Sequence, residues 1–405
     1  MDATKIKRVK ILLAALLVAA LLMTQSGCSG LYWDFMDRKN REMQDETEAS
    51  DIIDDTGEKN KYVVDIPVEI MDGVTAVSAG VSHSMAIKAD GSLWGWGFNN
   101  QGQLGNGEHG VEYNGVPVKI MDDVAAVSAG GFHTLAIKTD GSLWAWGLNG
   151  YGQLGDGTTQ DKDVPVKIMD DVAVVNASGY FTFAIKTDGS LWAWGRNSRC
   201  ELGNGTQEDS YVPIKIMNGV IAVSGGTYHA MAIKTDGSLW AWGGNKKGQL
   251  GNGVHGDDMY SDVPIKIIDK AAAVEAGRIS FAIKTDGSLW AWGENDRGIL
   301  GNGKSDEIID APIKIMDDVK AAFSRDYLSM AIKTDDSLWV WGSNLNGQFG
   351  NGRHGRDEYS YLPVKVMDDV ASASAGSHHS LILTTDGRLF AVGHNGRGQL
   401  GMGNF

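Results

Sequence analysis

With 405 residues and two cysteines, the chain does not depend on a disulfide framework and is long enough to stand on core burial alone. Its formal charge of −15, from 51 acids against 36 bases, opposes a function built on gripping nucleic-acid phosphates.

The first residues carry Lys5, Lys7, Arg8 and Lys10, then the apolar run Ile11 to Met23, then Thr24-Gln25-Ser26-Gly27-Cys28. Thirteen apolar residues are short for a membrane span, so residues 1–27 read as a signal peptide. A cysteine following Ser-Gly directly behind such a run looks like a bacterial lipoprotein cleavage site, although Gln25 stands where an aliphatic residue is usual. Cys28 is therefore the expected lipid attachment. The protein is expected to be exported and anchored to the extracytoplasmic face of a bacterial membrane.

Residues 28–61 follow as a polar tether. From Leu31 to Tyr62 there are ten acids against five bases, and large apolar residues are few after Met43, so a flexible segment is expected. Tyr32, Trp33 and Phe35 lie close enough to the anchor to rest in the membrane interface.

From residue 62 onward the chain repeats. Trp-x-Trp-Gly occurs at Trp94, Trp144, Trp192, Trp240, Trp290 and Trp339, with a degenerate copy at Phe390-Ala391-Val392-Gly393. Copies lie 48 to 51 residues apart, a period that suits the four-stranded blades of a propeller. Within a unit such as 116–155, short apolar runs are broken by turn residues every eight to twelve positions, which gives four strands. Asp-Gly at 90, 140, 188, 236, 286 and 386 marks a tight hairpin needing positive φ. Asp335-Asp336 breaks that series, so a strained or wider turn is expected in the sixth unit.

Paired tryptophans two residues apart share one strand face, and their strict repetition favours packing between blades over a ligand platform. All seven prolines, at 67, 117, 165, 213, 264, 312 and 363, precede a short apolar run, the expected start of an edge strand. The segment near Val63 to Ile70 precedes the first Trp-x-Trp, and the last unit lacks its own copy. The expected fold is all-β: a seven-bladed β-propeller of four-stranded antiparallel blades over 62–405, the ring closed by an N-terminal strand joining the last blade.

The repeat G-x-x-H-T/S-x-A-I-K-x-D-G-S-L-W-x-W-G-x-N-x-x-G-Q-L-G resembles that of the regulator of chromosome condensation family, over about residues 62 to 405. The resemblance implies a seven-bladed propeller. It also implies, as one candidate activity, nucleotide exchange on a nuclear small GTPase. Short inter-strand segments, the acidic charge and the export signal all oppose that activity, which ranks last.

Function is expected where the copies differ. Six segments after Gly-Asn-Gly and its variants diverge, at 108–116, 158–164, 206–212, 254–263, 304–311 and 353–362. They should converge on one side of the disc. Tyr113, Tyr211, Tyr260, Tyr359 and Tyr361 offer amphipathic contact area there, and Asp209, Asp257, Asp258, Asp357 and Glu358 offer charge, so these ten are the candidate protein-binding residues. His109, His255 and His354 decorate three loops in blades one, four and six, too dispersed for a single metal ion. His83, His133, His229 and His379 share one strand position with Phe181, Ile279 and Leu328, which argues for packing. Repeated Met-Asp-Asp turns lack calcium-loop spacing. Cys200 replaces a glycine of Gly-Gln-Leu-Gly and reads as a partly buried substitution.

No grouping suggests catalysis, a metal or a cofactor. The reading is a non-enzymatic, surface-tethered, monomeric recognition module for another protein, with no role for nucleic acid. Exported relatives with this repeat include a propeller-type inhibitor of β-lactamase, so the resemblance admits inhibition of an envelope enzyme. The alternative is a glycan-binding or cell-wall carbohydrate-active protein.

Overall fold

The computed structural model describes residues 62–108, 110 and 113–403. Cys28, the expected signal peptide and tether, His109 and Glu112 lie outside the described residues. Among the described residues twenty-eight strands form seven four-stranded antiparallel sheets. Blade 1 runs β2 (Val74–Ala79), β3 (His83–Lys88), β4 (Leu93–Phe98), β5 (Tyr113–Met121). Blades 2 to 6 repeat that order over residues 124–169, 172–217, 220–268, 271–316 and 319–367.

Blade 7 contains β26 (Val370–Ala375), β27 (His379–Thr384) and β28 (Leu389–His394), and takes its outer strand from β1 (Val63–Met71). Val64 pairs with Gly393 and Val68 with Ala391 across that junction, so the first strand of the chain completes the last blade and closes the ring. First strands of successive blades touch one another and line the central opening. The proline strands form the outer rim.

The two tryptophans of each unit differ in depth. Trp96 is fully buried and donates through Nε1 to the Gln399 carbonyl of the preceding blade at 3.0 Å. Trp146 does the same to Gln103, also at 3.0 Å. Trp94 is half-buried and donates to Ser92 Oγ at 2.9 Å, whose hydroxyl and amide both bond the Asp90 carboxylate. Removing a fully buried indole from such a wedge costs about 3–5 kcal/mol.

In the sixth unit Asp336 adopts φ 65°, while Asp335 still accepts from the Ser337 amide at 3.0 Å. The turn is strained rather than widened. Cys200 likewise takes a glycine's place at φ 64°, with its side chain fully buried.

The prolines sit inside the outer strands, not at their starts. Tyr113–Met121 contains Pro117, and the ladder jumps from Asn114↔Gly97 to Val118↔Gly95. Three residues fall in that irregularity, where no ladder amide is needed, so an outer strand tolerates proline at mid-length.

Candidate functional site

Antiparallel order places two kinds of connection at the same end of every blade. One is the hairpin from the first to the second strand, such as residues 80–82; the other is the long connection from the third to the fourth, such as 99–112. The opposite end carries the Asp-Gly and Met-Asp-Asp turns. The first end is the loop face.

Its outer zone holds the ten residues predicted from sequence, dispersed over blades 1, 3, 4 and 6. The tyrosines belong to outer strands or begin them, rather than to loops: Tyr113 opens β5, Tyr260 opens 260–268 and Tyr359 opens 359–367. Tyr359 and Tyr361 stack at 5.0 Å between centroids, and Tyr211, Tyr260 and Tyr359 are about half exposed.

Several of the ten have structural duties. Tyr113, Tyr211 and Tyr361 seat Gly398, Gly152 and Gly298 of the preceding blade so closely that a Cβ there would lie 3.0, 2.4 and 2.3 Å from the ring. The Asp209 carboxylate accepts from the Asn197 amide at 2.7 Å, and partial burial raises its pKa. In the blades with longer loops a main-chain oxygen takes that role, as Glu358 O does for Asn344 N at 2.8 Å. Asp257 pairs with Lys246 at 2.6 Å. Asp258 and Asp357 are exposed.

The loop histidines act as clasps. His255 Nδ1 lies 2.9 Å from Asp310 of the next blade, and His354 Nδ1 lies 2.8 Å from Asp65 on the closing strand. Among the described residues no group of three or more His, Cys, Asp and Glu is placed to hold a metal ion.

The inner zone was not anticipated. Hairpin tips supply Phe132, Tyr180, Tyr228, Arg278, Tyr327 and His378, one per blade, and the first residues of the long connections supply their partners. Arg397 lies over Phe98 at 4.6 Å, and Phe98, Phe132, Tyr180 and Tyr151 follow at centroid separations of 6.4, 6.5 and 5.3 Å. The Arg196 guanidinium faces Tyr151, Tyr180 and Tyr228 at 5.6, 5.8 and 5.8 Å, and Arg199 covers Tyr228 at 4.6 Å. Lys247 and Arg278 pair with Glu294, and Arg278 and Arg297 each lie 4.4 Å over Tyr327. Asn346 meets His378 at 3.3 Å.

Every neighbouring pair of blades is thus bridged in a ring around the opening, five pairs through aromatic and arginine side chains, one through Lys247–Glu294 and one through Asn346–His378. Within the opening, Arg325 of blade 6 donates to the Ala79 carbonyl of blade 1 at 2.9 Å. The signal for this ring was present in the sequence. The residue before each repeat histidine or its replacement reads Ser82, Phe132, Tyr180, Tyr228, Arg278, Tyr327, His378, a variable position inside a repetitive frame.

Beneath the ring lie neutral histidines. Burial holds His83, His133, His229 and His379 down to about 3. Glu201 replaces the repeat glutamine under Arg196, and burial pushes it up to about 7 despite the nearby guanidinium. Glu275 on an inner strand is raised to about 7 for the same reason.

A family model described as RCC1-like domain matches residues 42–324. The chain belongs to that family. Models of the regulator of chromosome condensation (RCC1) repeat match residues 335–383 and 370–399 as well. Among solved structures, human WBSCR16 superposes with TM-score 0.68 at 21% identity, covering 82% of this chain and 89% of that one. Yeast RCC1 (Prp20), crystallised with Kap60, gives TM-score 0.68 at 18% identity over 79% and 80% of the two chains. Prp20p from Saccharomyces cerevisiae, in a study of its binding to Gsp1p and histones, gives 0.68 at 19% over 79% and 82%. No curated protein sequence matches this RCC1-like chain.

Proposed function

We propose that this RCC1-like protein is a non-enzymatic recognition module that binds another protein through its loop face and is held at a membrane by a lipid on Cys28. The observation that carries the reading is the ring around the opening, in which Phe, Tyr and Arg side chains bridge five of the seven blade junctions and Lys247–Glu294 and Asn346–His378 bridge the other two. Aromatic and arginine side chains at the centre of a face, with a polar rim around them, have the composition of an energetic centre of protein interfaces. The repeated residues are consumed by blade packing, which leaves the variable positions for a ligand. Yeast RCC1 (Prp20), which shares the fold, was crystallised bound to Kap60. Inhibition of an envelope enzyme remains one form such binding takes.

The test is capture by the immobilised protein from the envelope and medium of the source organism, read by mass spectrometry. A protein retained by the wild type and lost when Phe132, Tyr180 and Tyr228 are replaced by Ala supports the reading. Retention of cell-wall glycan with no protein moves the assignment to carbohydrate binding. Labelled palmitate incorporation that persists in Cys28→Ser refutes the anchor.

A further inference from the structure

We infer that the inner ring of the loop face binds an acidic peptide segment of the protein partner. This rests on the protein-recognition reading above and adds the chemistry of the ligand. Nine arginines lie between residues 62 and 405, and six of them, Arg196, Arg199, Arg278, Arg297, Arg325 and Arg397, belong to hairpin tips or to the opening residues of the long connections. Adding Lys246 and Lys247 gives eight cations in this zone, against the five acids Glu201, Glu275, Glu294, Asp296 and Asp326, an excess of three. The six outer segments are opposite in sign. They contain 14 acids against four bases, an excess of ten negative charges. A chain of net charge −15 has therefore concentrated its arginines on one annulus inside an acidic rim.

The geometry selects carboxylates. Guanidinium groups present planar paired donors that match a carboxylate bidentately, and stacking over Phe98, Tyr228 and Tyr327 fixes those planes before a ligand arrives. Pre-organisation lowers the entropy lost on binding. The half-buried rings of Phe98, Phe132 and Tyr180 beside the guanidiniums suit apolar or aromatic residues interspersed among the acids. The same arrangement disfavours nucleic acid, because a long polyanion leaving the annulus in either direction crosses the acidic rim, whereas a short acidic segment ends inside it. Asp310 and Asp65 are tied to the loop histidines and do not neutralise the annulus.

The experiment uses the intact protein with a fluorescein-labelled deca-glutamate peptide, its deca-glutamine counterpart and a ten-nucleotide single strand, read by anisotropy at several salt concentrations. Deca-glutamate should bind with an affinity that falls steeply with salt, and deca-glutamine should not bind. Arg297→Glu/Arg397→Glu should weaken binding at least ten-fold. Lys119→Glu/Lys167→Glu, an equal charge change at the opposite end of blades 1 and 2, should change it less than two-fold, with circular dichroism confirming that both variants fold. Equal weakening by both pairs, no binding of deca-glutamate at low salt, or equally tight binding of the oligonucleotide overturns the inference. A captured partner lost with outer-loop exchanges but retained by Arg297→Glu/Arg397→Glu overturns it while leaving protein recognition intact. No protein captured by any version overturns the recognition reading instead.

Discussion

The His83 ring of blade 1 meets the Thr134 hydroxyl of blade 2 at 3.0 Å, and that hydroxyl donates its own proton to the Gln103 carbonyl at 2.8 Å. Thr134 must therefore accept from His83 Nε2–H, which fixes the histidine tautomer and ties three segments of two blades together. His133 with Thr182, His229 with Ser280 and His379 with Ser84 repeat the bond, at 3.0, 2.8 and 2.9 Å.

The ring occupies the space a side chain at Gly80 would need. A Cβ there would lie 2.2 Å from His83 Cε1, and Gly130, Gly226 and Gly376 stand in the same relation to their own histidines. Two of the three blades lacking the histidine carry larger residues at the glycine position, Ser178 beside Phe181 and Arg325 beside Leu328. Gly80→Ala should destabilise by about 1–3 kcal/mol through overpacking against the His83 ring and the Gly130 carbonyl, and Gly80→Ala/His83→Leu should recover the part due to the ring. Chemical denaturation of the four proteins of the cycle gives the coupling; strict additivity would refute it.

Stability should respond to pH from both sides. The four histidines have folded pKa values depressed to about 3, so their contribution is complete above pH 6.5 and is lost as pH falls toward 3. Glu201 and Glu275 are raised to about 7, so their contribution is complete below about 4.5 and is lost as pH rises through 7. Glutamine stands at the Glu201 position in other blades, where Gln153 Oε1 accepts from the Tyr151 amide at 2.9 Å as Glu201 does from Arg199 at 2.7 Å. Glu201→Gln should therefore gain about 1–2 kcal/mol at pH 8, an advantage that vanishes near pH 5. Urea titrations at the two pH values check the sign.

Ring closure predicts a large effect from a single covalent link. Val68 and Ala391 are direct partners in the closing sheet, and Cys200 is too deeply buried to compete. Oxidised Val68→Cys/Ala391→Cys should be more stable than its reduced form by up to about 5 kcal/mol, because the bridge closes a very long loop in the unfolded chain. Melting with and without reductant reads the difference.

Exchanging residues 353–362 for 158–164 should leave the fold intact. The graft carries Asp161 and Asp163, which serve in blade 2 where Glu358 O and Tyr361 serve in blade 6: Asp161 bonds the Asn149 amide at 2.7 Å, and Asp163 seats Gly102. The His354–Asp65 clasp is lost, a mostly buried hydrogen-bonded pair whose removal costs about 1 kcal/mol. A melting temperature within about 3 °C of wild type is expected by calorimetry.

The fold was legible because a propeller writes its period into residues that packing demands, such as Trp96 against the Gln399 carbonyl and Gly91 at φ 79°. The site was legible only in part. Tyr113, Tyr211 and Tyr361 vary between blades, yet each seats a neighbouring glycine, so variation alone did not separate ligand contact from packing. Phe132, Tyr180 and Arg278 escaped notice because they stand beside the repeat histidine, inside the motif that appeared shared. Net charge misled too, since an average of −15 conceals an annulus of opposite sign. Prolines marked the outer strands correctly but not their starts, because a three-residue bulge absorbs the missing donor.

The carbonyls of Gln103, Gln153, Glu201, Gln249 and Ile299 each receive an indole from the following blade, Gln399 receives Trp96, and blade 7 carries Val392 in place of the indole. The tryptophans of blades 2 to 6 each borrow a socket from the blade made before, whereas the socket of blade 1 is made last. On the ribosome, blade 1 therefore waits through almost the entire synthesis with its tryptophan unseated, and β1 waits equally long for β28. Completion of the disc is a terminal event that joins the oldest and newest parts of the chain together.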